Sequence, residues 1–88
     1  MENLKSELIK KTWEYVEEQA KNTTIDYIKV FMPMNEVEKY LGIEICDTNG
    51  WQGDWWYDNP IQLGGRKWDL SGCMYNGELE LTLREEDN

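Results

Sequence analysis

The sequence predicts an α+β domain: an N-terminal amphipathic helix packed on a mostly antiparallel sheet of about four or five strands, with one short extra helix. Three observations carry this. Apolar residues recur at helical spacing from Leu4 to Ala20. From Ile43 onward the pattern becomes alternation broken by glycine and asparagine. Between them, Pro33 and Gly42 bracket a short segment in the order that helix ends prefer. The 88 residues are read as one domain, 1–88.

The first helix is placed at residues 4–21. Leu4, Leu8, Ile9, Trp13, Val16 and Ala20 share one face, and lysines and glutamates fill the others. Asn3 stands where an N-cap belongs. Leu4, Leu8, Trp13 and Val16 are expected to pack on the sheet. Residues 23–32 then read as a strand, with Ile28, Val30 and Met32 on one side and Lys29 and Phe31 on the other, while Ile25, Ile28 and Met32 also allow a helix. Pro33 ends it. Residues 34–41 form the short helix, whose Val37, Tyr40 and Leu41 face the core, and Gly42 closes it.

The remainder reads as β. Ile43 and Ile45 alternate with Glu44 and Cys46. Asn49-Gly50 marks a turn, residues 54–58 a short aromatic strand, and Asn59-Pro60 and Gly64-Gly65 two further breaks. Residues 66–75 and 78–84 form a hairpin across Asn76-Gly77, the pair that type I′ turns favour. Leu79, Leu81 and Leu83 line one face of its second strand, and Glu78, Glu80, Thr82 and Arg84 the other. Residues 85–88 are expected to fray. The short helix cannot cover the second face of the sheet, which is expected to lie partly open.

Composition narrows the function. Eighteen acids oppose nine bases, and histidine is absent. A net charge of −9 argues against direct contact with nucleic acid or an anionic membrane and favours a basic protein partner. Residues 1–42 carry eight acids and six bases, for −2; residues 43–88 carry ten and three, for −7. The N-terminus has no signal-peptide pattern and no run spans a membrane, so a cytoplasmic location with two free thiols is expected.

No catalytic set emerges. Without histidine there is no ordinary acid–base group near neutral pH and no imidazole ligand. Cys46 and Cys73 lack metal or redox spacing and are expected to be small buried residues, or neighbours in the sheet. Gly64-Gly65-Arg66-Lys67 lacks the phosphate-loop pattern and reads as a turn. Asp47, Asn49, Asp54 and Asp58 do not match a calcium loop. No cofactor and no metal are expected.

The informative stretch is 43–65, with four acids, no base and three of the five tryptophans. Glu44, Asp47, Trp51, Asp54, Trp55, Trp56, Tyr57 and Asp58 are the candidate partner-binding residues. Trp55 and Trp56 are adjacent on a strand and must point to opposite faces, one to the core and one outward. An acidic surface carrying aromatic rings suits a basic protein, whose arginine or lysine side chains can lie over a ring. Small size, acidity and the lack of catalytic groups resemble, in composition alone, the nucleic-acid mimics among anti-restriction, anti-CRISPR and nuclease-immunity proteins, which occupy the basic groove of a nucleic-acid-handling enzyme. Two other readings stand beside this inhibitor: an assembly subunit that buries its tryptophans in a homodimer or larger complex, and a carbohydrate-binding module with exposed tryptophan platforms.

Overall fold

A computed structural model of the chain describes the backbone of residues 2–84 and the side chains of residues 6–84. It contains helix α1 (Glu2–Lys21), strand β1 (Tyr27–Phe31), helix α2 (Met34–Leu41), and strands β2 (Asp47–Asn49), β3 (Asp54–Leu63), β4 (Arg66–Cys73) and β5 (Glu78–Leu83). The five strands form one sheet in the order β1-β5-β4-β3-β2, every neighbouring pair antiparallel. The α+β class follows from the sequence as expected.

Register explains the layers. Cross-strand partners share a face, so Val30, Leu79, Gly72, Trp55 and Thr48 form one row across the sheet. Ile28, Leu81, Leu70 and Tyr57 form the next. Every strand residue that is buried, including Ile61, Leu63 and Trp68, belongs to this inner face. Trp13, Val16 and Ala20 of α1 and Val37 of α2 join the same buried cluster. The Trp13 and Tyr40 rings stack 4.2 Å apart and within 5° of parallel, tying α1 to α2. Both helices therefore cover one face, and no described residue covers the other.

The end of α1 is clamped to the β3–β4 hairpin. Arg66 donates from Nε to the Ala20 carbonyl at 2.8 Å and from Nη2 to the Asn22 carbonyl at 2.6 Å. This places a cation on carbonyls that the helix leaves unpaired. The same guanidinium lies 4.8 Å from the centre of the Trp68 ring. Gly64 and Gly65, at φ 61° and 78°, make the two-residue turn beneath it.

Several expectations need correction. Helix α1 begins at Glu2, so Asn3 lies inside it and does not cap it. Leu8 is 62% exposed: it sits on a flank of the helix beside the stripe of Trp13, Val16 and Ala20. The Leu4 side chain and the residues expected to fray, 85–88, lie outside the described residues. Tyr40 is stacked on Trp13 but remains partly exposed. Residues 43–46 are not a strand. The Ile43 N–H is taken by the Glu38 carbonyl and the Ile45 N–H by the Glu38 carboxylate, both at the end of α2. The aromatic strand does not stop at Asp58. It runs to Leu63 through an irregularity between Tyr57 and Ile61, where Asn59-Pro60 sits beyond the reach of the three-residue β2.

Asn76-Gly77 is not a two-residue turn either. Cys73 pairs with Glu78 across four residues, Gly77 alone has positive φ, and its N–H returns to the Cys73 carbonyl. The type I′ turn in this chain is Gly64-Gly65. Neither cysteine is buried: Cys46 is exposed and Cys73 half-exposed, and they are not bonded.

Candidate protein-binding face

The outer face of the sheet follows from the same register. Phe31, Glu78, Cys73, Asp54 and Asn49 form one row, and Lys29, Glu80, Ser71, Trp56 and Asp47 the next. Tyr27, Thr82 and Asp69 form a third. Alternation along β3 adds Asp58 to this face, two residues beyond Trp56. The outward strand positions thus hold six carboxylates (Asp47, Asp54, Asp58, Asp69, Glu78, Glu80), and Lys29, Lys67 and, just past β5, Arg84 supply three bases. The difference, three minus six, is −3 before any neighbouring loop is considered.

The bases are already engaged. Lys29 Nζ lies 3.1 Å from Glu78 Oε1, and the hydrogen bond to that carboxylate, followed by its charge, raises the lysine's pKa. Arg84 approaches Asp69 at 3.7 Å. The Tyr27 hydroxyl donates to Glu80, which raises the tyrosine's pKa first through that bond. Among the described residues, no base is paired with the acids near β2. There, the hydrogen bond that Asp47 shares with the Asp58 carboxyl is the largest cause of a raised Asp47 pKa, followed by desolvation and the Asp58 charge.

Trp56 sits at the centre of this acidic end. Asp47 is its cross-strand partner on β2, and Asp54 and Asp58 flank it along β3. Trp56 is 43% exposed, whereas the adjacent Trp55 is 1% exposed and belongs to the core. The choice between the two is fixed by Gly72, the partner of Trp55 on β4. The Trp55 ring lies over that glycine so closely that a Cβ there would stand 2.5 Å from it. A tryptophan needs that space only on the inner face.

A second feature sits at one end of the sheet. The four-residue turn 50–53 docks on the turn 74–77. The Tyr75 ring lies across Gly53, and its hydroxyl donates to the Gly50 carbonyl at 2.8 Å. The Met74 N–H donates to the Gly53 carbonyl at 2.6 Å. Asn49 Oδ1 accepts from the Trp51 N–H at 3.2 Å. Trp51 is therefore 83% exposed on a turn braced at both ends.

Of the sequence-predicted site residues, the structure brings Asp47, Asp54, Trp56 and Asp58 together and places Trp51 at the adjoining end. Glu44 is exposed in the segment leading to β2. Trp55 is core and Tyr57 is half-buried against the core, so this conformation presents neither to a partner. Sequence reasoning missed Asp69, Glu78 and Glu80 as members of the same face. The alternation of Glu78 and Glu80 with leucines was visible, but which strands lie beside β5 was not. Among the described residues no group of three or more acidic or thiol side chains could hold a metal ion. No helix of the described residues is long and apolar enough to cross a membrane. Neither a protein-family model, nor a curated protein, nor a solved structure matches the chain.

Proposed function

We propose that this chain is a binding module, not an enzyme, and that its uncovered sheet face docks on a basic surface of a partner protein. The observation that carries the reading is Trp56, exposed and ringed by Asp47, Asp54 and Asp58. An arginine of the partner would lie over the indole while its guanidinium forks onto a carboxylate, two favourable interactions for one side chain. Basic surfaces of this kind are what nucleic-acid-handling proteins present to phosphates. The proposed action is therefore inhibition by occupancy, in a cytoplasm that keeps Cys46 and Cys73 reduced.

The Asp47–Asp58 contact supports the reading from stability. Two carboxylates held together repel at neutral pH, so the pair is unfavourable for folding alone, and a cationic partner would relieve it.

The test is a kinetic comparison on the partner captured from the cells that make this protein. Asp54→Asn with Asp58→Asn should slow association and flatten its dependence on salt. Trp56→Ala should mainly speed release, with a loss of about 2 kcal/mol if the ring is a hot spot. Nucleic acid should compete for the partner. Binding that is indifferent to salt and to the aspartate changes would refute the proposal and favour the assembly reading.

A further inference from the structure

Strand β1 is an edge of the sheet, and no described strand pairs with its outer side. Its ladder bonds to β5 bracket it at both ends: the Leu83 N–H meets the Asp26 carbonyl at 2.8 Å, and the Met32 N–H meets the Gly77 carbonyl at 2.6 Å. Antiparallel alternation then turns the N–H and C=O groups of Tyr27, Lys29 and Phe31 away from β5. Above this row runs the flank of α1 that carries Leu8, Lys11, Thr12 and Tyr15, four residues at i, i+3, i+4 and i+7 spacing. With Lys29, Val30 and Phe31 they line an open groove of about 460 Å³.

Three properties of this groove point to one occupant. It is apolar where it is most open: Leu8 and Phe31, at 62% and 71% exposure, stand on its two walls beside Tyr15. Beside it, the outward N–H and C=O groups of Tyr27, Lys29 and Phe31 have no backbone partner among the described residues. Its charged lining is Lys11 and Lys29, the second paired with Glu78 of β5, and no carboxylate lines it, on a chain of net charge −9.

We infer that the β1 edge with the α1 flank is a second, separate binding site, for an extended acidic–apolar segment of a partner protein that adds as a sixth strand. The backbone of that segment pairs with Tyr27, Lys29 and Phe31. Alternate apolar side chains enter between Leu8, Tyr15 and Val30, and its carboxylates meet Lys11, with Lys29 already paired to Glu78. A second copy of this chain fits less well. Two β1 strands paired about a two-fold axis through the centre would set one Lys29–Glu78 pair against the other, between bodies that each carry −9. This site opens at the strand edge below α1 and shares only the rim residues Tyr27, Lys29 and Phe31 with the acidic outer face.

The test uses the intact protein and a displayed library of random nonapeptides. The expected consensus alternates apolar residues with aspartate or glutamate. A synthetic peptide of that consensus should bind at least about tenfold more weakly to Lys11→Glu and to Leu8→Ser. Both positions are exposed, so thermal melting should show the variants folded. Methylating the peptide's alternate backbone nitrogens should abolish binding, and the bound peptide should slow hydrogen exchange at the Tyr27, Lys29 and Phe31 amides. Failure to enrich any peptide, a basic consensus, or binding untouched by Lys11→Glu and by N-methylation would overturn the site. So would a dimer in sedimentation whose β1 edge amides are already protected without peptide, since the occupant would then be a second copy.

Discussion

Gly72→Ala isolates the device that decides which tryptophan faces outward. A Cβ at this position would fall against the Glu78 carbonyl oxygen of β5 and stand 2.5 Å from the Trp55 ring. Neither obstacle is the tip of a flexible side chain: one is backbone in a central ladder, the other a fused ring buried at 1%. Overpacking a core by a methyl group costs about 1–3 kcal/mol, and the rigidity of both neighbours puts this site at about 3 kcal/mol. In a domain of this size each kcal/mol moves Tm by about 4–8 °C, so the variant should melt about 12–24 °C lower. Thermal unfolding followed by far-ultraviolet circular dichroism measures this, and urea unfolding followed by tryptophan fluorescence gives the same free energy independently. Because Gly72 and Trp55 are in contact, Trp55→Leu combined with Gly72→Ala should cost less than the sum of the two single changes. A Tm loss below about 4 °C for Gly72→Ala would mean that β4 and β5 are not packed this way and that the assignment of Trp55 inward is wrong.

Trp13→Ala should cost about 3–5 kcal/mol because it removes a buried ring stacked on Tyr40, whereas Leu8→Ala should be nearly neutral; equal effects in urea unfolding would contradict the orientation of α1. Leu81→Ala should lose about 2–5 kcal/mol and Glu80→Ala about 1 kcal/mol or less, since they lie on opposite faces of β5; similar losses would mean a shifted register. The Asp47 pKa is higher folded than unfolded, so the folded state binds more protons between those values and its stability falls as pH rises through that window. Asp47→Asn should therefore raise Tm at neutral pH and lose this advantage in acid, where the aspartate is protonated in both states; a lower Tm at neutral pH would contradict the shared hydrogen bond with Asp58.

What was legible in the sequence was the part governed by local chemistry. The period of Trp13, Val16 and Ala20 placed α1, Pro33 and Gly42 placed α2, and the alternation around Leu79 and Leu81 set the faces of β5. The misreadings share a cause in tertiary competition for backbone groups. Residues 43–46 alternate like a strand, but Glu38 takes the N–H groups of Ile43 and Ile45. Asn76-Gly77 fits a tight turn, but Tyr75 is needed over Gly53, and the loop widens to four residues to place it there. Leu8 fits the helical stripe, yet α1 overhangs the edge strand and leaves that flank beyond the sheet. For the site, the sequence located the acids and rings of β2 and β3. It did not reveal that Glu78, Glu80 and Asp69 join them, because that depends on strand order.

The most direct question is whether the outer sheet face is the surface a partner touches. A photo-crosslinking residue placed at Thr82, exposed and outward on β5, and separately at Lys10, exposed beside the cleft between the helices, measures this in the cells that make the protein. A basic protein should crosslink from Thr82, be lost when Asp54 and Asp58 are changed to asparagine, and not crosslink from Lys10. The same basic protein crosslinked from Lys10 alone, or from Thr82 regardless of the two aspartates, would contradict the proposed docking.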